Sequence, residues 1–147
     1  MVELRPVKAE DAAVLQQEAY PEMALNEVLN MIAEWNTHVF AGKFFSMFAI
    51  VESGRLVGTL SLFEHSHSCA SMGPDVFVRE RRRGVAFSAM QMALKEAAGK
   101  GYRIIQQQVR TANTASIRLH EKLGFETDGY IYKNRHNHDV LLYLKAL

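Results

Sequence analysis

The stretch Val76-Phe77-Val78-Arg79-Glu80-Arg81-Arg82-Arg83-Gly84-Val85-Ala86 decides how this sequence is read. Apolar residues close a strand, a basic turn follows, and a helical pattern opens at Gly84. Helix N-termini carry unpaired N–H groups and a partial positive charge, so such a junction suits a phosphate. Gly84 has no Cβ to hold an anion away from the backbone, and Ala86 is small enough to keep the helix near the strand. Arg81, Arg82 and Arg83 add positive charge around the same point. Three consecutive arginines alone are more often a solvated basic patch. Their place between a strand and a helix start is what points to a ligand.

The pattern extends in both directions from this junction. Residues 84–98 place Ala86, Phe87, Met90, Ala93, Leu94 and Ala97 on one helical face, and Gly99 and Gly101 end the helix. Residues 103–110 read as a strand, 116–123 as a short helix closed by Gly124, and 125–132 and 139–145 as two final strands. Upstream, residues 68–78 form a strand containing Gly73-Pro74, where the missing proline N–H predicts a bulge or a splayed edge. Residues 48–51 and 56–63 flank the turn Glu52-Ser53-Gly54-Arg55 as a hairpin. Val2 to Val7 alternates as a strand with one buried face. Asp11 opens a helix carried by Ala12, Leu15 and Ala19. A second helix over 24–36 puts Leu25, Val28, Leu29, Ile32 and Trp35 on one face. The order β-α-α-β-β-β-α-β-α-β-β predicts the α/β class, with one mixed central sheet and flanking helices in a single domain, 1–147.

Composition narrows the function classes. The 147 residues are 48% hydrophobic and 22% charged, which supports a packed core. The formal net charge of +1 offers no field for a polyanion, so no nucleic-acid partner is expected. No apolar run reaches membrane-spanning length, and the first residues lack a signal-like apolar segment, so no membrane partner is expected either. The single cysteine, Cys69, forms no internal disulfide and fits a reducing, cytoplasmic setting.

Arg81-x-x-Gly84-x-Ala86 matches the Arg/Gln-x-x-Gly-x-Gly/Ala signature of the GNAT superfamily of acyl-CoA N-acyltransferases. Asn113-Thr114-Ala115-Ser116-Ile117-Arg118-Leu119-His120-Glu121-Lys122-Leu123-Gly124-Phe125 resembles that family's Asn-x-x-Ala-x-x-Leu-Tyr-Glu-Lys-x-Gly-Phe block at the expected distance. The order of elements agrees over nearly the whole chain. The resemblance implies a splayed strand pair that binds acetyl-CoA as co-substrate. Its pantetheine arm would pair with the backbone of Val76, Phe77 and Val78. Its pyrophosphate would take amides from Arg82, Arg83, Gly84, Val85, Ala86 and Phe87, with Ser88 a further contact and Asn113 beside the coenzyme. The activity it implies is acetyl transfer to an amine.

Amine acylation needs a neutral amine, a polarised thioester carbonyl and a proton for the leaving thiolate. The Val76 N–H is the expected oxyanion donor. His120 stands where most family members have a tyrosine that protonates the thiolate, and is the candidate catalytic residue. Histidine donates a proton more readily near neutral pH than tyrosine does. Relatives resembling phosphinothricin acetyltransferase also read Leu-His-Glu-Lys, and there the histidine packs or positions, so both roles stay open. The base patterns of histone- and arylalkylamine-acetylating relatives are not matched at Ala70, Ser71 or Met72. Glu64, His65, His67 and Asp75 lie nearby, and an exposed strand end is the commoner meaning of such residues. His136-Asn137-His138-Asp139 reads as a polar turn, and no metal is expected. The acceptor expected is a small-molecule or peptide amine. A non-catalytic acyl-CoA-binding or sensing module is the alternative, and paired C-terminal strands would allow a homodimer.

Overall fold

The computed structural model describes residues 1–147. Its strands are β1 (Val2–Pro6), β2 (Val39–Phe40), β3 (Lys43–Glu52), β4 (Arg55–Glu64), β5 (Cys69–Val76), β6 (Ile104–Arg110), β7 (Ile131–Lys133) and β8 (Asp139–Ala146). Its helices are α1 (Ala12–Glu18), α2 (Leu25–Trp35), α3 (Val85–Gly99) and α4 (Thr114–Lys122). They form one mixed sheet in the order β1-β3-β4-β5-β6-β8-β7, with β2 paired to β3. Neighbouring strands are antiparallel except β5 and β6, which run parallel. No helix is long and apolar enough to cross a membrane.

The period-2 alternation of the strands supplies a core on each face. Along β3, Ile50 joins the α3 side, whereas Ala49 and Val51 pack with Leu15, Val28 and Ile32 of α1 and α2. On the other face Ala89, Met90, Ala93, Leu94 and Ala97 of α3 press on Leu60, Leu62, Ala70 and Met72 of the sheet. That core continues into Leu123, Phe125 and Tyr143 at the end of α4 and on β8.

Several expected boundaries move for identifiable reasons. On α2 the buried residues are Val28 and Ile32, flanked by half-buried Met31 and Trp35. Leu25 and Leu29, expected on that face, are 44% and 38% exposed, so the helix touches the sheet along a narrower stripe. The first strand of the hairpin starts earlier, at Lys43, because β2 folds back on it through Ala41 and Gly42, both with positive φ. That two-residue turn lacks the Asn-Gly signature that reveals such hairpins. The strand expected over 125–132 is broken. Glu126 makes one bridge to Leu144, and Gly129, at φ 80°, turns the chain before β7.

The expected bulge at Gly73-Pro74 is not formed against β4: the register runs unbroken from Gly58↔Val76 to Glu64↔Ala70. Phe77 gives its N–H to Val57 O, so odd-numbered residues of this segment face β4 and even-numbered ones face β6. Pro74 therefore turns its missing donor toward β6, on the side where strand pairing has already ended, and no ladder bond is lost. The other expected outcome, a splayed edge, is what forms: the segment carrying Gly73-Pro74 is unpaired on its β6 side.

Gly58 makes the end of β5 possible. A Cβ there would stand 2.5 Å from the Asp75 carbonyl oxygen and 2.8 Å from Val76 Cα, both backbone atoms that cannot swing aside. Gly58→Ala should therefore cost about 1–3 kcal/mol, the usual scale of overpacking. Thermal or urea unfolding measures it, and a variant as stable as the parent would show that β4 and β5 do not approach this closely.

Candidate active site

β5 and β6 pair through only two positions, Cys69↔Ile104 and Ala70↔Ile105. Side chains take over at the next two. Ser71 Oγ donates to Gln106 O at 2.7 Å. The Gln107 carboxamide then serves Met72 twice: Oε1 accepts from Met72 N at 2.9 Å, and Nε2 donates to Met72 O at 2.6 Å. Beyond Met72 the strands separate.

His120 holds that carboxamide from behind. Its Nδ1 lies 2.7 Å from Ser116 O, and a carbonyl only accepts, so Nδ1 carries the hydrogen. Nε2 is then a lone pair, 3.3 Å from Gln107 Nε2 and positioned to accept its second hydrogen. Burial pushes the His120 pKa down, and the bond to Ser116 O opposes this only in part. The ring is 4% exposed and packs edge-on against Phe125 at a centroid distance of 5.0 Å.

Alternation along β5 turns the main chain of Met72, Pro74 and Val76 toward the gap. Met72 is occupied by Gln107 and Pro74 has no N–H, so the Val76 N–H is the first free donor. Val76 O accepts from Arg81 Nε at 2.8 Å. Phe77 is expected to be a pantetheine contact, but it gives its N–H to Val57 O and its carbonyl to Glu80 N, at 2.9 and 2.8 Å. Val78, expected beside it, opens a single 3-10 turn: its carbonyl accepts from Arg81 N, and its own N–H has no partner within the chain. Phe77 is thus turned to β4 by the alternation of the strand, and Val78 keeps a free N–H at the start of the turn.

In the turn beyond, where the sequence implies an anion site, the backbone N–H groups are left unpaired. Arg82 and Gly84 both have positive φ, 65° and 77°. From Arg82 through Phe87, no backbone N–H has a partner within the chain. The helix begins its own ladder at Ser88, whose N–H donates to Gly84 O at 3.1 Å and is thus no longer free. Space is open above Gly84, so its left-handed backbone rather than a close approach requires glycine. Val85 is buried, and Phe87 is half-buried with Lys122 Nζ 4.3 Å from its ring centroid.

The arginines divide their work. Arg83 bridges Glu52 and Glu80 at 2.7 and 2.8 Å, and Arg55 closes on Glu80 from the other side at 2.7 Å. Arg81 is taken by Val76 O and stands 3.8 Å from Asp75. Arg82 is the one with no side-chain partner. Two of the three arginines expected around a phosphate thus shape the turn. Glu80 is the missed residue that organises them, and its only signal is an acid inside a basic run. Asn113 caps α4, its Oδ1 accepting from Ser116 N at 3.0 Å. It stays beside the open end of the gap, because β6 runs parallel to β5 and delivers the chain there.

The family model described as the acetyltransferase (GNAT) family matches residues 9–125. The chain belongs to the GNAT acetyltransferase family. A curated relative, the SPbeta prophage-derived uncharacterized N-acetyltransferase YokL of Bacillus subtilis (strain 168), is 31% identical over 108 residues, 71% of this chain. The chain spans about 60% of that relative's length. Among solved structures, RimL, a ribosomal L7/L12 alpha-N-protein acetyltransferase in complex with coenzyme A, has the same fold. The TM-score is 0.85 at 18% identity, covering 99% of this chain and 94% of that one. Spermidine N-acetyltransferase from Vibrio cholerae, in complex with CoA and spermine, aligns at TM-score 0.79 and 18% identity, over 99% and 95%.

In this structure the His120 ring turns into the protein on both of its nitrogens. Both ring nitrogens are committed inside the protein, and the Gln107 N–H directed at Nε2 requires the neutral ring. His65 and Ser71 are likewise tied into the sheet. Ser71 gives its hydrogen to Gln106 O, so His65 Nε2, 2.5 Å away, donates to Ser71 Oγ. Glu64 accepts from Tyr102 OH at 2.8 Å, and burial together with that bond pushes Tyr102 up to about 12. Asn134 Oδ1 organises the His136–His138 turn by accepting from both main-chain N–H groups.

A buried neutral His120 makes stability pH-dependent. Its folded pKa lies below the unfolded 6.5, so its contribution is complete above about pH 6.5 and is lost as pH falls through the folded value. Urea unfolding between pH 5 and 8 should show the parent losing stability relative to His120→Phe as pH drops, by at most about 1.4 kcal/mol per unit. A stability difference that stays constant with pH would contradict the neutral, enclosed ring.

Proposed function

We propose that this chain transfers an acetyl group from acetyl-CoA to a primary amine, as a single N-acetyltransferase domain over residues 1–147. The observation that carries this reading is the continuity of free polar backbone. The amides of Arg82 to Phe87 lead directly to the Val76 N–H and the gap between β5 and β6. A pyrophosphate fits the first and a thin, amide-bearing arm fits the second. Arg82 is the free cation beside the phosphates, and Asn113, whose Oδ1 caps α4, has its Nδ2 left to donate to the coenzyme.

The chemistry balances without an added reagent. The amine nitrogen attacks the thioester carbonyl, and the oxyanion is met by the Val76 N–H. The C–S bond breaks, the new C–N bond remains, and the proton lost by nitrogen equals the one gained by the thiolate. The chain's own contribution is alignment and electrostatic stabilisation. Ribosomal-protein N-termini and spermidine, the amines named for its structural neighbours, favour a protein N-terminus, a lysine or a small polyamine-like molecule as acceptor. The lone thiol of Cys69 suits cytoplasmic work. The exposed edge at β7, with Tyr130 and Ile131 uncovered, suits pairing with a second copy, which sedimentation would detect as a dimer.

Gly84→Asp tests the coenzyme placement. Aspartate tolerates positive φ better than most residues, so the fold should survive. Its carboxylate among the free amides should weaken acetyl-CoA binding by about tenfold or more in calorimetry (~1.4 kcal/mol). Unchanged affinity would refute the placement. Thiol release across a panel of amines separates transfer from binding alone: tight binding with no release from any amine would support a sensing module.

A further inference from the structure

We propose that Gln107 and His120 are a positioning pair that props the β5–β6 gap open, with Gln107 acting as a side-chain substitute for the strand that Met72 lacks. The proposal rests on the coenzyme-binding reading above and assigns roles to two residues that make no contact with the reacting atoms.

A primary carboxamide offers one acceptor and two donors. At Met72 it reproduces both bonds that a neighbouring strand would supply, at 2.9 and 2.6 Å. Met72 and Gln107 are 4% and 6% exposed, so water does not replace those bonds. Without the carboxamide, the nearest partner for the Met72 N–H and C=O is the β6 backbone, reached by extending the two-residue parallel ladder one step further. That extension closes the gap from its inner end. The clip therefore lowers the cost of the open arrangement relative to the zipped one.

His120 makes the clip directional. An unsupported carboxamide could rotate by half a turn and present donor to donor and acceptor to acceptor. The Nε2 lone pair accepts only from Gln107 Nε2, and the Nδ1–H bond to Ser116 O fixes which ring nitrogen is bare. Phe125 and Tyr143 close the ring in, with centroids 5.0 and 5.8 Å away. One step earlier between the same two strands, Ser71 and Gln106 fasten the preceding pair of positions. The inner end of the gap is thus sealed by side chains, and the outer end is left free.

A ligand whose binding-competent state is only partly populated binds more weakly by that fraction. Gln107→Leu keeps the volume and removes the polar clip. It should weaken acetyl-CoA by about tenfold or more, while adenosine 3′,5′-bisphosphate, which lacks the pantetheine arm, binds at α3 within about twofold of the parent. His120→Phe should show the same split, smaller in size, because the Met72 bonds survive it; it also serves if the leucine variant does not fold. Calorimetry with both ligands reads the result whether or not turnover is found, so failure of the transfer reading leaves this test intact. Equal weakening of the two ligands, or unchanged acetyl-CoA affinity in folded variants, would overturn the proposal. A parent chain that binds neither ligand would overturn it together with the coenzyme-binding reading.

Discussion

Two hydrogen bonds from the Gln107 carboxamide to Met72 set the point at which this sheet stops being continuous. Up to that point β5 and β6 behave as ordinary parallel neighbours. One residue later their separation exposes main-chain groups that are otherwise paired in a sheet. A buried peptide group without a partner is costly, so a fold that opens a strand pair must satisfy the last groups before the opening. Here a buried glutamine does so, braced by a neutral imidazole. The unsatisfied groups that remain, the N–H groups of Val76 and Val78 and the amides after Arg81, are those that a ligand can reach.

Charge is used first for scaffolding. Glu80 draws Arg55 and Arg83 together, and Arg83 also reaches Glu52 on β3, so the turn before α3 is tied to the hairpin beside it. Arg81 reaches back to Val76 O. The positive character of the helix start then comes from its free amides and Arg82, which are fixed in place and need little reorganisation when an anion arrives. A net charge of +1 is compatible with tight phosphate binding for this reason: the attraction is local.

Much of this was legible in the sequence because the motifs coincide with backbone necessities. Gly84 and Gly124 both take positive φ, at 77° and 88°, and the strand–turn–helix order around Arg81 survives in the structure. Gln107 was not legible. In a strand alternating Ile105, Gln107, Val109 it reads as one more polar residue among three glutamines, and only its burial reveals that it replaces a strand. Gly58 was hidden in the same way, since the backbone that crowds it lies 17 residues further on. His120 was found by position with two roles left open, because a motif does not record which ring nitrogen is already bonded. The β7 boundary moved because Asp128-Gly129 turns the chain, a local signal set against an otherwise strand-like run.

Amide hydrogen exchange, read residue by residue with and without acetyl-CoA, tests the central claim most directly. The account predicts that Met72 exchanges slowly in both states, since Gln107 protects it, whereas Val76 and Arg82 to Phe87 exchange fast in the free protein and become protected on binding. Fast exchange at Met72 in the free protein, or protection on binding that falls elsewhere and leaves Arg82 to Phe87 unchanged, would contradict it.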